Sequence, residues 1–253
     1  MPRPDPVLLL HGQPGAARDW DRVRAAIGSP PETIAIDRPG WDGGSAPSDL
    51  EGNARAALDA LDAAGAERAV VVGHSFGGAV AAWLAATHEQ RVRALVLAAP
   101  SANAASLQWL DRILATPGLG FVAGAAALAG SGVALAARPL RARVARDLGL
   151  EEGYLRSAGR TLVAPRAWRA FFLEQRLLVR HLPGLEARLH TISAPTTVVI
   201  GTADRIVPPA SARRLAEQIP GARLVELERA NHLLPQQRAE RLAEIIEERY
   251  RTS

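Results

Sequence analysis

The chain has 253 residues, of which 48% are hydrophobic and 22% are charged. These proportions are typical of a globular protein with enough apolar residues for a substantial core. The absence of Cys excludes disulfides, thiolate metal sites and a cysteine nucleophile. All 30 basic residues are Arg, which excludes Schiff-base lysine chemistry and any Lys-dependent phosphate loop.

The charge distribution argues against a nucleic-acid partner. The formal net charge is only +4, and the Arg residues alternate with Asp and Glu instead of clustering. Aromatic residues make up 4% of the chain. A nucleic-acid-binding face needs clustered cations with aromatic platforms between them. We therefore expect no nucleic-acid partner.

Two apolar stretches bear on targeting and membranes. The run near the N-terminus is four residues long, too short for the core of a signal peptide. The twenty residues from 118 to 137 carry no charge and are long enough to span a bilayer. They consist mainly of Ala and Gly, however, and lie between segments typical of a soluble protein. We expect a buried or pocket-covering helix pair there, no stable membrane insertion and a cytoplasmic location.

In chain order, short apolar runs alternate with segments of helical periodicity. Strands are predicted at residues 7–10, 33–36, 69–72, 93–99, 195–200 and 222–227. Helices are predicted at residues 20–27, 53–64, 79–88, 211–219 and 238–250. This alternation predicts an α/β fold in which helices flank a mostly parallel central sheet.

Residues 101–192 interrupt the alternation with helical patterns and no convincing strand. Because strands and helices resume afterwards in the same rhythm, we predict a helical cap or lid inserted between two strands of one sheet. The core would then comprise residues 1–100 and 193–253.

The pattern Gly73-His74-Ser75-Phe76-Gly77 lies between a predicted strand and a predicted helix. A strand that turns directly into a helix holds the middle residue in a strained backbone with its side chain exposed. The two glycines avoid Cβ clashes, and the helix N-terminus favours a nearby negative charge. Ser75 is therefore predicted to be a nucleophile, with a tight turn around a buried Ser as the alternative.

A serine nucleophile needs a base, and the base needs an orienting acid. Ser75 and His232 both follow predicted strands, so both lie at the carboxyl edge of the sheet. Asp204 comes directly after the fifth strand and is predicted to accept a hydrogen bond from His232. A surface His and a turn-capping Asp are the alternatives. The order Ser75, Asp204, His232 is one of the known triad orders.

Acyl transfer also needs N–H donors for the developing oxyanion. One expected donor is the backbone N–H of Phe76, directly after the nucleophile. The loop after the first strand supplies the other, predicted to be the N–H of Gln13, since Gly12 lets the loop fold tightly and Pro14 has no N–H.

The segments HGQPG, DRPGWDGGS, GHSFGG, GTADRIVP and ANH resemble those of the α/β-hydrolase fold superfamily, over residues 7–100 and 193–250. The resemblance implies a Ser75–Asp204–His232 triad and an oxyanion hole formed by Gln13 and Phe76. It also implies a structural, loop-holding position for Asp37. Members similar to this chain have an eight-stranded sheet, whose opening antiparallel hairpin is expected to be missing here.

The resemblance also narrows the chemistry. Haloalkane dehalogenases and epoxide hydrolases of this fold carry Asp where this chain has Ser75, and dienelactone-type members carry Cys. We expect a serine hydrolase that cleaves carboxylic esters of small to medium apolar substrates through an acyl-enzyme. The alternatives are a C–C bond hydrolase of vinylogous diketone acids and a perhydrolase or acyltransferase with the same triad. A binding protein without turnover would not need the base and the acid.

The substrate pocket is expected to involve large aromatic residues. Trp109, Phe121 and Trp168 lie in the cap region, and Trp41 lies in a loop that should reach the edge of the site. They suggest an apolar acyl or aromatic pocket, with simple packing as the alternative for each. No cofactor and no metal is expected, and a small-molecule ester is the expected partner.

Overall fold

A computed structural model describes residues 4–28 and 32–252, so residues 1–3, 29–31 and 253 of the predicted core lie outside the described part. Six strands form one sheet: β1 (Val7–Leu10), β2 (Thr33–Ile36), β3 (Ala69–His74), β4 (Val92–Ala98), β5 (Thr196–Gly201) and β6 (Arg223–Leu227). Their order is β2-β1-β3-β4-β5-β6, and every described pairing is parallel. The predicted α/β fold is confirmed, with an all-parallel sheet in the described residues.

Eleven α-helices occur in the described residues. They are α1 (Asp21–Ala26), α2 (Leu50–Ala63), α3 (Phe76–Thr87), α4 (Trp109–Leu114), α5 (Leu119–Ala136), α6 (Arg138–Leu148), α7 (Glu152–Leu162), α8 (Pro165–Glu186), α9 (Pro209–Gln218), α10 (Leu234–Gln237) and α11 (Ala239–Thr252). Helices α2, α3, α9 and α11 pack on the sheet. Strands β1, β3 and β5 are buried along their whole length, which accounts for their mainly apolar sequences.

Helices α4 to α8 all lie between β4 and β5, the position predicted for the cap, and no strand lies between those two strands. The long helix α8 packs on the core helices α2 and α3 as well as on α4, α5 and α7. It therefore connects the cap helices to the core. The cap boundaries at residues 101 and 192 remain a prediction.

The uncharged stretch from 118 to 137 differs from the prediction of a buried helix pair. It forms the single helix α5, whose Val122 and Val133 are 64% and 65% exposed. One side packs closely through glycines: a Cβ on Gly124 would lie 2.5 Å from Phe172, and one on Gly132 would lie 2.7 Å from a backbone oxygen of α7. Only this small-residue face is covered, so the opposite face stays exposed.

No single helix in residues 4–28 and 32–252 is long and apolar enough to cross a membrane. The two helices Gly120–Ala136 and Arg138–Leu148 meet the length and composition requirement only together, and the chain bends by 99° between them.

The turn from β3 into α3 depends on close backbone contacts. A Cβ on Gly73 would lie 2.2 Å from the carbonyl oxygen of Gly77. A Cβ on Gly77 would lie 2.3 Å from the carbonyl oxygen of Leu10 and 2.5 Å from that of His11. Real Cβ atoms do not approach backbone oxygens so closely, so only glycine permits this turn beside the end of β1.

We predict that Gly77→Ala lowers the free energy of unfolding by about 3 kcal/mol, because the new methyl group displaces the backbone of β1. The matched control is Gly130→Ala inside α5, where a Cβ would meet no atom within 4 Å. That variant is expected to be more stable by up to about 1 kcal/mol, since Ala is the better helix former. Urea unfolding midpoints of the two variants test this, and equal midpoints would contradict it.

Candidate active site

Ser75 occupies the turn between β3 and α3 in a strained backbone conformation, with φ 53° and ψ −118°. Positive φ is rare outside glycine and costs free energy. Its carbonyl accepts hydrogen bonds from the N–H of Gly78 at 2.9 Å and of Ser101 at 3.1 Å, and its own N–H donates to Ala98 at 3.0 Å. These contacts hold the strained residue at the edge of the sheet.

Asp204 and His232 form a hydrogen-bonded pair at the same edge. The Nδ1 atom of His232 lies 2.8 Å from Oδ2 of Asp204. The other carboxylate oxygen accepts from the backbone N–H groups of Ile206 at 2.8 Å and Val207 at 2.9 Å. An acceptor at Nδ1 places the proton of the neutral ring on that nitrogen, so Nε2 is left as the basic atom.

His74 supports His232 without sharing its role. Its Nε2–H donates to the His232 carbonyl oxygen at 2.8 Å, and the two ring centroids are 4.9 Å apart. Burial, together with the nearby His232, lowers the pKa of His74 to about 3. His74 is therefore a neutral donor over the working pH range and anchors the loop that carries the His232 ring.

The loop after β1 approaches Ser75 closely. A Cβ on Gly12 would lie 3.0 Å from the Cβ of Ser75 and 3.0 Å from Nδ1 of His74. The next residue is Gln13, so its backbone lies beside the Ser75 turn. The assignment of the Gln13 and Phe76 N–H groups to an oxyanion hole remains a prediction.

Arg38 lies beneath this loop and is completely buried. Its Nε donates to the carbonyl oxygen of His11 and its Nη2 to that of Gly12, both at 2.9 Å. Nη1 donates to Oδ1 of Asn53 at 2.9 Å, and the two terminal nitrogens also bind the Glu174 carboxylate at 2.5 and 3.3 Å. All five guanidinium N–H groups thus have an acceptor.

His11 completes the underside of the loop. Its Nε2 accepts from the backbone N–H of Arg38 at 3.0 Å, and its Nδ1–H donates to the carbonyl oxygen of Gly12 at 2.7 Å. Burial and the neighbouring Arg38 hold the pKa of His11 well below its usual range. The ring is therefore neutral and serves as a fixed connection between two loops.

Glu174 is the cap's contribution to this buried cluster. Besides Arg38, it accepts a hydrogen bond at 2.9 Å from the indole N–H of Trp41. Burial raises the pKa of the Glu174 carboxyl, and the bonds from Arg38 and Trp41 oppose that shift. The sequence prediction missed both charged residues. A signal existed, because Glu174 lies within the buried stripe of α8 between Ala170 and Leu178.

A second connection joins the Gln13 side chain to the cap. Nε2 of Gln13 donates to Oε1 of Gln175 at 2.8 Å, and Nε2 of Gln175 donates to Oδ1 of Asp111 at 3.1 Å. Burial raises the pKa of the Asp111 carboxyl. Helix α8 thus contacts the loop after β1 directly through Gln175, and Glu174 reaches it through Arg38.

A cavity of about 230 Å³ lies against His232 and His74. Its apolar lining comes from Pro14, Ala16, Leu155, Ala158, Leu162, Ile206, Leu233 and Pro235. Its polar side chains are Gln13, Arg18, Asp19, Tyr154, Ser157, Thr161 and Gln236. Helix α7 of the cap therefore supplies much of the wall that faces the predicted base.

Two residues that line the cavity have shifted pKa values. Burial raises the pKa of Asp19 to about 6, against the opposing effects of the Ala16 N–H and of Arg18. The carboxyls of Asp21 and Asp37 add to the rise. Burial also raises the pKa of Tyr154, so its hydroxyl stays protonated. One end of the cavity therefore has a carboxyl that ionises near neutral pH.

The four aromatic residues predicted to line the pocket, Trp41, Trp109, Phe121 and Trp168, do not line this cavity. Trp109 is 71% exposed at the start of α4. Phe121 packs edge-on against Phe172 inside the cap, with ring centroids 5.1 Å apart. The wall of this cavity beside His232 comes from α7 instead. A role for these aromatic side chains in the substrate pocket stays a prediction.

The indole N–H groups of Trp168 and Trp41 both donate hydrogen bonds within the protein. The indole N–H of Trp168 donates to the carbonyl oxygen of Leu162 at 2.7 Å, which ties the start of α8 to the end of α7. Trp41 donates its indole N–H to Glu174, and it also lines a second cavity of about 430 Å³ that shares Arg18 and Ser157 with the first. Both rings are used to hold elements together.

No group of three or more His, Asp or Glu side chains that could hold a metal ion occurs in the described part of the chain.

Known proteins resemble this chain in sequence and in fold. A pimeloyl-[acyl-carrier protein] methyl ester esterase of Neisseria meningitidis serogroup C is 30% identical over 227 residues, covering 89% of this chain and 86% of that protein. A 2-hydroxy-6-oxononadienedioate/2-hydroxy-6-oxononatrienedioate hydrolase of Paraburkholderia phymatum is 27% identical over 259 residues, covering 95% of this chain and 85% of that protein.

The fold is shared with solved structures. The structure of a meta-cleavage product hydrolase from Pseudomonas fluorescens matches with a TM-score of 0.75 and 20% identity, covering 98% of this chain and 91% of that one. The model of the alpha/beta hydrolase family matches residues 7–245. This chain is therefore a hydrolase and belongs to the alpha/beta hydrolase family.

Proposed function

We propose that this protein is a serine hydrolase that cleaves carboxylic esters of small to medium apolar substrates. The observation that carries the proposal is the 2.8 Å pairing of Asp204 with His232 at the sheet edge that also holds the strained Ser75. A buried carboxylate that fixes the tautomer of a His is the arrangement that activates a serine hydroxyl.

In the proposed mechanism, Nε2 of His232 removes the Ser75 hydroxyl proton while Oγ attacks the acyl carbon. The N–H groups of Gln13 and Phe76 stabilise the oxyanion. His232 then gives its proton to the leaving alcohol, and an acyl-enzyme remains. A water molecule deprotonated by His232 releases the acid and restores Ser75. Asp204 stabilises the imidazolium in both halves of the reaction.

The cavity supports a small substrate. Its volume of about 230 Å³ is below the roughly 300–1,000 Å³ typical of sites for drug-sized ligands. Its lining combines aliphatic side chains of α7 with the Ile206 and Leu233 loops, which suits a short acyl chain. The Neisseria relative is named for a methyl ester, which supports a small alcohol as the leaving group.

Hydrolysis of an acidic substrate is the second candidate. The Paraburkholderia relative is named for dienedioate and trienedioate substrates, which supports C–C bond hydrolysis of vinylogous diketone acids on the same triad. The cavity contains one cationic side chain, Arg18, and one carboxyl, Asp19. An ionised Asp19 disfavours a second carboxylate nearby, so the lining favours neutral esters.

We expect Ser75→Ala to abolish turnover of p-nitrophenyl esters, because no other hydroxyl lies in the strained turn. Wild-type turnover is expected to peak between acetate and octanoate and to fall at laurate. Ser131→Ala, an exposed Ser in α5, is the matched control and should keep wild-type rates. Hydrolysis by purified Ser75→Ala at more than a hundredth of the wild-type rate would reject Ser75 as the nucleophile.

We expect Asp204→Asn to lower kcat by about 10³–10⁴-fold, because the amide no longer holds the correct His232 tautomer or stabilises the imidazolium. Steady-state rates on the best p-nitrophenyl ester measure the effect, with circular dichroism to check the fold. A loss below tenfold would mean that another group orients His232.

We expect Asp19→Asn to relieve discrimination against acidic substrates. Asp19 is neutral below its pKa of about 6 and ionised above it. At pH 8 the variant should gain several-fold in kcat/KM for the monomethyl ester of pimelic acid relative to the dimethyl ester. At pH 5 the ratio should equal that of the wild type. Asp21→Asn, 64% exposed in its side chain, is the control, and a pH-independent ratio would contradict the prediction.

A further inference from the structure

We propose that the buried Arg38–Glu174 ion pair positions the oxyanion hole, so that cap helix α8 sets the rate of the acyl-transfer step. The inference rests on the proposed serine hydrolase function. Arg38 and Glu174 touch neither the cavity nor the triad directly, and they act through the backbone of the loop after β1.

The Gly12–Gln13 peptide group is held from its carbonyl side. The Gly12 carbonyl oxygen accepts from Nη2 of Arg38 at 2.9 Å and from Nδ1 of His11 at 2.7 Å. In a trans peptide the C=O and the following N–H belong to one plane and point in opposite directions. Two donors that fix the Gly12 carbonyl therefore fix the direction of the Gln13 N–H.

The positive charge of Arg38 also makes the N–H of the Gly12–Gln13 peptide group a stronger hydrogen-bond donor. A hydrogen bond from a guanidinium to a carbonyl is charge-assisted, and it polarises the peptide so that its N–H becomes a better donor. Arg38 also binds the His11 carbonyl, the preceding group of the loop. The cation thus orients and polarises the loop from the side opposite the substrate.

The guanidinium also contacts the second predicted donor residue. Its central carbon lies 4.6 Å from the centroid of the Phe76 ring, within the range of a cation–π contact. The Phe76 N–H follows the Ser75 carbonyl, which is held by the start of α3. One side chain, Arg38, therefore touches both segments from which the oxyanion donors come.

The cap supplies the anion that keeps Arg38 in place. Both side chains of the ion pair are fully buried. Replacing such a pair with apolar residues of similar size is often neutral or stabilising, so a contribution to stability does not explain it. The neighbouring Gln175 binds the Gln13 side chain at 2.8 Å. Gln175 thus holds the predicted donor loop directly, and Glu174 holds it through Arg38.

The test compares Glu174→Gln with Glu186→Gln on the same helix. Glu186 also ties α8 to other elements, through the Ala104 N–H at 3.0 Å and the Gln218 amide at 2.7 Å. Two quantities are measured for each folded variant: kcat and KM on the best p-nitrophenyl ester, and the rate at which a p-nitrophenyl alkylphosphonate labels Ser75. Labelling is followed by intact mass. During the labelling reaction, negative charge develops on a phosphonate oxygen in the position that the oxyanion occupies during ester hydrolysis.

We expect Glu174→Gln to lower kcat and the labelling rate together by about 10–100-fold, with KM within threefold. The expected loss is smaller than that caused by outright removal of an oxyanion donor, which lowers kcat by about 10²–10³-fold. Glu186→Gln is expected to change both rates by less than threefold, even if it lowers the unfolding midpoint.

A second variant covers the case in which Glu174→Gln does not fold. The double substitution Arg38→Met/Glu174→Met removes both charges and leaves none buried alone. We expect this protein to fold and to show the same loss of kcat and labelling rate. Rates within threefold of wild type in either folded variant would overturn the proposal, as would an equal loss in Glu186→Gln.

The wild-type protein distinguishes failure of the proposed ester function from failure of the ion-pair proposal. A wild-type protein whose Ser75 is labelled but which hydrolyses no ester would refute the ester function, and the labelling rates would then judge the ion pair alone. A wild-type protein whose Ser75 is not labelled would overturn both proposals, because there would be no oxyanion hole to position.

Discussion

The structure depends on close packing of backbone at the carboxyl edge of the sheet. The turn after β3 lies against the end of β1. There is no room for a Cβ on Gly77, because the carbonyl oxygens of Leu10 and His11 lie too close. Gly12, in the loop after β1, likewise lies so close to Ser75 that a Cβ on it would be 3.0 Å from the Cβ of Ser75. Because no side chains separate these segments, the strained serine and the loop after β1 lie directly against each other.

The buried titratable side chains next to the Ser75 turn are either kept neutral by burial or paired with an opposite charge. Burial keeps His11 and His74 uncharged, and each ring makes its hydrogen bonds to backbone. The Arg38 cation is matched by Glu174 and by three further acceptors. The Asp204–His232 pair, at the same edge of the sheet, is held by its own hydrogen bonds.

The cap is more than a cover in this arrangement. Helix α7 lines the cavity, whereas α8 inserts Glu174 and Gln175 next to the predicted oxyanion loop. In the proposed mechanism, substrate selection and the geometry of the reacting groups therefore depend on two different cap helices. The apolar helix α5 belongs to neither role, since one face packs on neighbouring cap residues and the other is exposed.

The sequence by itself determined the parallel sheet, the helical insertion and the three candidate catalytic residues. Buried parallel strands need uninterrupted apolar runs, and a strand-to-helix turn needs glycines at fixed spacing, so both features are local and readable. Tertiary structure decided the rest. The place of Glu174 in the buried stripe of α8 is readable from the sequence. Its pairing with Arg38 is not, because the pair joins residues 136 positions apart. The lining of the cavity depends on tertiary structure for the same reason. Helix packing decides which cap helix faces His232, whereas periodicity identifies the buried face of a helix but not the element that covers it.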